Sequence, residues 1–264
     1  MADVKVRGFK IHYVEQGAGD PVVFAHGYDM DHTMFAPQFE DLPDRYRCIA
    51  WDMRGHGRSE CPPGPWSMQD LVDDLIAFIE SVDAAPCHLV GMSVGGMMAP
   101  RVALQRPELV RSLVLIDTSA DAEDPERAVL YTGFQDAIAT QGVTDEILEA
   151  GLPILFGERY RNTEQQAMEF HVDRVKAMKT EAAVEGLRSF IGRDSVLDRL
   201  GEIRVPVLVI HGEEDIAQPM VEAEKIVERV PGAELVRIPG AGHSTPLEAP
   251  DAVNEALSSF LARV

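Results

Sequence analysis

Five consecutive residues, Gly91-Met92-Ser93-Val94-Gly95, restrict what this 264-residue chain can fold into more than any other segment. They follow an apolar run, Pro86-Cys87-His88-Leu89-Val90, and open a stretch of helical character from Met97 to Arg106. Gly-x-Ser-x-Gly between a strand and a helix predicts a turn so sharp that the serine takes a strained backbone angle. The residues two positions to either side must then carry almost no side chain, which glycine supplies. Such a turn pushes the Ser93 hydroxyl out of the sheet edge. The pattern carries weight only in context, with a strand before it and a helix after it.

That context recurs along the chain. Val4-Lys5-Val6 and Ile11-His12-Tyr13-Val14 alternate around Gly8 as a hairpin does. The runs Pro21–Ala25, Arg47–Trp51, His88–Val90, Ser112–Ile116 and Pro206–Ile210 are continuously apolar, as parallel strands buried on both faces are. Glu234–Ile238 is more polar and is expected nearer an edge. Helical patterns alternate with these runs. Ser67 and Asp70 form a capping box ahead of Leu71, Leu75, Phe78, Ile79 and Val82, which share one face. Val253, Leu257, Phe260 and Leu261 share a face of the final helix. The expected class is α/β, a mostly parallel eight-stranded sheet flanked by helices. One stretch breaks the alternation: residues 119–203 predict only helices, over 124–140, 144–156, 163–179 and 181–191. They are read as a helical cap inserted between the sixth and seventh strands, which divides the chain into a core of 1–118 and 204–264 and a cap of 119–203. Pro100 lies deep in the helix after Ser93 and is expected to remove one hydrogen bond and bend it.

Composition narrows the partners. A net charge of −20 sets the long-range field against nucleic acid and anionic membranes. No apolar run approaches membrane-spanning length, and the first residues lack the charged and apolar regions of a signal peptide. Cys48, Cys61 and Cys87 are too few and too irregular for a disulfide framework or a zinc site. A cytoplasmic protein with a small-molecule partner is expected; its oligomeric state is not legible.

A serine hydroxyl at such a turn can act only if a base reaches it. Of the eight histidines, His12 and His88 fall in strand patterns, His32 and His171 in helical stretches without diagnostic neighbours, and His211 ends a strand. His56 lies in a glycine-rich loop after a strand and is read as pinning that loop. His243, in Pro239-Gly240-Ala241-Gly242-His243-Ser244, follows the last strand in a flexible loop and is the candidate general base. Its orienting acid is sought just past a strand: Asp215 is preferred, since Glu213 and Glu214 fall within the turn, and Asp117 is its competitor. Two backbone donors for an oxyanion are expected at Val94, directly after Ser93, and at Tyr28, in Ala25-His26-Gly27-Tyr28-Asp29. Met30, Met34, Phe35, Met92, Leu152, Leu155, Phe156 and Met168 are candidates for an apolar pocket wall, each equally at home in the core.

With these motifs the whole chain resembles the α/β-hydrolase superfamily, in particular the capped 3-oxoadipate enol-lactonases, cofactor-free haloperoxidases and small carboxylesterases. The similarity runs through His26-Gly27, Asp52-x-Arg54-Gly55-His56-Gly57-x-Ser59, the Gly91 to Gly96 turn, Arg106-Pro107-Glu108, Asp215 and Gly242-His243. The order serine, acid, histidine is the one that fold uses. The resemblance implies an α/β-hydrolase fold with Ser93 as nucleophile, His243 as base and Asp215 as orienting acid. It implies hydrolysis of a carboxylic ester or lactone through an acyl-enzyme, without metal or cofactor. Two other readings stay open: perhydrolysis by the same acyl-enzyme, and a slow or inert ligand-binding protein of this fold. His26-Gly27-Tyr28-Asp29 departs from the tetrad frequent in the lactonase-like branch.

Overall fold

A computed structural model describes residues 1–264. Eight strands form one sheet: β1 Ala2–Val6, β2 Phe9–Gln16, β3 Asp20–Ala25, β4 Tyr46–Trp51, β5 Cys87–Met92, β6 Val110–Ile116, β7 Val207–Gly212 and β8 Glu234–Ile238. Their spatial order is β1-β2-β4-β3-β5-β6-β7-β8. The pairs β1/β2 and β2/β4 are antiparallel and every pair from β4 to β8 is parallel. The polar β8 takes the edge.

Continuous apolar strands are explained by two buried faces. Successive side chains alternate sides of a strand, so Val23 and Ala25 of β3 join one core while Val22 and Phe24 join the other. The first core takes the helix Met68–Ser81, capped as expected by Ser67 and Asp70 in a reciprocal box. The second takes Val253, Leu257, Phe260 and Leu261 of the helix Pro250–Leu261.

Between β6 and β7 the chain is helical: Pro125–Gln141, Asp145–Leu155, Glu158–Thr163, Gln165–Ala177 and Thr180–Ile191, followed by a 3₁₀ turn. Asp124 caps the first of these ahead of Pro125, and Gly142 at φ 76° closes it, the usual division of labour at the two ends. The helix expected over 163–179 is Gln165–Ala177, and a short helix not expected, Glu158–Thr163, precedes it, separated by Glu164 at φ −106°, ψ 56°. The short preceding helix is held by packing, with Tyr160 stacked on Phe156 at 5.6 Å. Pro100 stands within the helix Val94–Gln105, which continues past it. No helix is long and apolar enough to cross a membrane.

Candidate active site

The parallel strands β5, β7 and β8 end on the same side of the sheet, and the three loops leaving them carry Ser93, Asp215 and His243. Ser93 follows β5 directly and precedes the helix by one residue, at φ 51°, ψ −114°. Left-handed backbone costs a residue with a Cβ roughly 1–2 kcal/mol, so neighbours must hold it. Its N–H donates to Ile116 O at 2.9 Å, and its carbonyl accepts from Thr118 Oγ1 at 2.7 Å and Met97 N at 2.8 Å. A Cβ on Gly91 would strike the backbone of Gly95, and one on Gly95 would strike the carbonyls of Ala25 and His26. Backbone cannot step aside as a side chain can. Gly95→Ala is therefore expected to lower unfolding free energy by about 3 kcal/mol, at the upper end for overpacking. A loss below ~1 kcal/mol in denaturant titration would show that the turn tolerates a side chain.

His243 Nε2 lies 3.0 Å from Ser93 Oγ, and His243 Nδ1 lies 2.8 Å from Asp215 Oδ2. Asp215 Oδ1 accepts from Gln218 N at 2.9 Å, which fixes the carboxylate plane. Glu213 and Glu214 are exposed. Burial alone would lower the His243 pKa, but Asp215, with smaller help from Asp117 and Glu248, outweighs it and raises the imidazole above its ordinary value. Asp117 sits elsewhere in the network. It accepts from Gly212 N at 2.9 Å and from Thr245 N and Oγ1 at 3.0 and 2.7 Å, tying β7 to the segment after His243. Complete burial first, and the neighbouring Asp215 second, hold Asp117 well above the usual carboxylate range.

A second buried acid steadies the same loop. Glu248 accepts from Gly242 N at 2.9 Å, Ser244 N at 3.0 Å and Gly157 N at 3.0 Å, so one carboxylate grips both neighbours of His243 and the inserted helices. Sequence reasoning missed it, because nothing in Thr245-Pro246-Leu247-Glu248 distinguishes Glu248 from a surface acid.

Tyr28 and Val94 both border the cavity above Ser93. The Val94 amide opens its helix and has no acceptor within it; the Tyr28 amide donates to no group of the chain. His26 sets the Tyr28 loop. Its Nε2 accepts from Met53 N at 2.9 Å, so Nδ1 carries the proton and donates to Gly27 O at 2.7 Å. Burial, then the neighbouring His56, lower its pKa to about 3, so the staple stays neutral. His56 lies beside it, its Nδ1 2.9 Å from Arg54 O, within the glycine-rich loop. His32 pairs with Asp52 at 2.7 Å, and His211 Nε2 lies 2.7 Å from Gln218 O.

The cavity encloses about 930 Å³ including its mouth, and 18 of its 25 lining residues are hydrophobic. Met30, Met92, Leu152 and Leu155 line it. Met34, Phe35, Phe156 and Met168 do not: they belong to the second core, where Phe35 packs on Phe24 at 5.0 Å. Composition cannot tell which side of a helix an apolar residue faces when both sides are buried. The helices after β6 instead supply Tyr131, Phe134, Leu148, Val175, Leu187 and Phe190. Three polar residues also reach the wall, Asp29, His171 and Gln218. Sequence reasoning placed none of the three at the wall: Asp29 entered only as the last residue of Ala25-His26-Gly27-Tyr28-Asp29, and His171 had no distinguishing neighbour.

The mostly parallel sheet carries Ser93, Asp215 and His243 on the loops after β5, β7 and β8, and residues 20–250 match the family model described as alpha/beta hydrolase fold. The chain belongs to that family. This α/β hydrolase is 32% identical to BpoC of Mycobacterium tuberculosis H37Rv, a proposed non-heme bromoperoxidase, over 96% of the chain and 97% of BpoC. It is 31% identical to the (E)-2-((N-methylformamido)methylene)succinate hydrolase of Acinetobacter baylyi, over 95% and 93% of the two chains. Among solved structures it superimposes on a thermophilic esterase from Thermogutta terrifontis with a TM-score of 0.93 at 28% identity, covering 100% and 99% of the two chains.

Proposed function

We propose that this α/β hydrolase cleaves a carboxylic ester or lactone through an acyl-enzyme. The observation that carries the reading is the unbroken line from Ser93 Oγ to His243 Nε2 at 3.0 Å and from His243 Nδ1 to Asp215 Oδ2 at 2.8 Å, at the floor of an apolar cavity. His243 takes the Ser93 proton as Oγ attacks the acyl carbon. The Val94 and Tyr28 amides receive the oxyanion, and residues 119–203 serve as the cap that keeps water away. Protonated His243 then passes its proton to the leaving alkoxide, and next deprotonates the water that releases the acid and frees Ser93. A buried Asp215 pointing its second oxygen at a backbone N–H, not at solvent, suits an acid that orients and stabilises without changing its own protonation.

The similarity to BpoC supports a second reading, in which hydrogen peroxide replaces water as the attacker of the same acyl-enzyme and the product is a peracid. One experiment addresses both. A panel of 4-nitrophenyl esters of graded acyl length is hydrolysed in the presence and absence of peroxide, with pre-steady-state detection of nitrophenol. The expected result is a burst equal to the enzyme concentration followed by steady hydrolysis. Peracid as the main product at millimolar peroxide would favour the second reading, and no turnover above background would leave only a binding role for the cavity.

A further inference from the structure

We propose that Asp29 determines which acyl groups enter: the cavity takes an uncharged substrate with a hydrogen-bond donor, best an acylamino N–H, close to the scissile carbonyl, and disfavours one with a carboxylate there. The inference rests on the ester-or-lactone reading, which supplies the scissile carbonyl.

Position comes first. Asp29 immediately follows Tyr28, whose amide is an oxyanion donor in that reading, so its side chain belongs to the carbonyl end of the cavity and not to its far end. Asp29 lines the cavity together with Gly27, Tyr28, Met30 and Ser93. The backbone at Asp29 is left-handed, φ 53°, a conformation that aspartate accepts better than most residues.

Its chemistry is unfinished. Asp29 is 7% exposed, and its Oδ1 is buried with no hydrogen-bond partner. An orphaned buried oxygen of this kind costs folding free energy unless another group satisfies it. The nearest cation does not. Arg174 places Nε on the Asp29 backbone carbonyl at 3.2 Å and Nη2 on His171 Nδ1 at 2.6 Å, and its Nη1 lies 3.6 Å from Asp31 Oδ1. The guanidinium is thereby spent on the frame of the site and leaves the carboxylate of Asp29 to a ligand.

The same arginine prepares a complementary donor. Arginine only donates, so His171 Nδ1 must be the acceptor and Nε2 must carry the proton. Burial, and then Arg174, lower the His171 pKa to about 3, which keeps the ring neutral in that tautomer. His171 also lines the cavity, and its Nε2–H finds no acceptor in the chain. Arg174 thus holds both residues, Asp29 by its backbone carbonyl and His171 by Nδ1, and leaves an acceptor and a donor free for the N–H and C=O of a substrate amide. Charge supplies the exclusion. Burial pushes the Asp29 pKa up to about 7 against the pull of Arg174, so above that pH a carboxylate entering beside Asp29 meets a like charge, and none of the 25 lining residues is a Lys or Arg that could offset it.

The test measures binding, so that it stands apart from turnover. Dissociation constants of three nearly isosteric esters, ethyl pentanoate, ethyl N-acetylglycinate and monoethyl succinate, are determined on the Ser93→Ala protein, which holds them intact. They are then determined again with Asp29→Asn or Asp29→Gly added, two substitutions that tolerate the left-handed backbone. Asp29→Gly is expected to weaken N-acetylglycinate relative to pentanoate by about tenfold, the size of one hydrogen bond to a charged group. At a pH well above 7, where Asp29 is ionised, Asp29→Asn is expected to strengthen succinate relative to pentanoate by a similar factor, as the like charge is removed. Both ratios staying within twofold of the parent, or moving in the opposite sense, would overturn the inference. Hydrolysis of the same esters by the protein with Ser93 intact reports separately on the ester-or-lactone reading.

Discussion

Ser93→Ala is expected to lower kcat on nitrophenyl esters on the order of 10⁵-fold, the scale on which loss of a nucleophile acts when its base has nothing else to activate. The oxyanion donors and the cavity survive the change, so residual catalysis above water is expected, not none. Stability should behave differently. Alanine keeps the Cβ and therefore the cost of φ 51° at this position. It loses only the hydrogen bond to His243 Nε2, about 1 kcal/mol. Ser93→Gly removes the same hydroxyl but also the Cβ that makes the angle unfavourable, and it should melt higher than Ser93→Ala, by ~2–4 °C per kcal/mol for a domain of this size. The pair thus separates chemistry from strain: both variants inactive, one relaxed. Turnover by Ser93→Ala within tenfold of the parent would sink the acyl-enzyme, whichever way the melting temperatures fall.

Ser93 shows why so much of the site could be read from the sequence. A turn that needs two glycines around a serine leaves a local pattern, because its steric demands are met by neighbours in the chain: Gly91 against Gly95, and Gly95 against the carbonyl that ends β3. His243 was legible for a related reason, as the histidine of the flexible glycine-containing loop between the last strand and the last helix. The apolar runs announced the sheet because both of its faces are buried. What failed was everything decided by direction. Met34 and Phe35 have the composition of a pocket wall but sit in a short turn whose side chains join the second core, Phe35 against Phe24, and neither lines the cavity. His171 has the composition of an ordinary helical histidine, yet Arg174 one turn later turns it into a neutral donor at the cavity wall. Glu248 is separated from Gly157 by 91 residues, and no local signal could announce a carboxylate that grips the loop and the inserted helices together. Asp117 and Asp215 both lie just past strands, but Asp117, directly after β6, bonds Gly212 and Thr245, while Asp215, three residues beyond β7, faces His243.

That last distinction yields the second large effect. Asp215→Asn is expected to cost about 10⁴-fold in kcat through the tautomer of His243. An aspartate can only accept, so it draws the imidazole proton to Nδ1 and leaves the Nε2 lone pair facing Ser93. An asparagine whose N–H₂ turns to Nδ1 reverses this, because Gln218 N still asks for an acceptor and claims the amide oxygen. The pH profile should move as well, in a direction fixed by the forces on His243. In the parent, burial pulls the imidazole pKa down, but Asp215, by charge and by hydrogen bond, leads the contributions that raise it above 6.5. The base must be neutral to act, so the acid limb of kcat/KM should fall above the ordinary histidine value. Removing Asp215 deletes the leading supports and keeps the burial, so the limb should shift to more acidic pH than in the parent, even as the plateau drops. Stability carries the opposite signature. A folded pKa raised above the unfolded one contributes stability that is complete below the unfolded value and lost as pH rises through the folded one. Asp215→Asn should abolish that contribution, so its deficit relative to the parent should be larger near pH 5 than near pH 8. Asp117→Asn, which leaves the His243–Asp215 contact in place, should keep the acid limb above 6.5. If instead Asp117→Asn lowered the limb as far as Asp215→Asn does, the two acids would be sharing the orienting role.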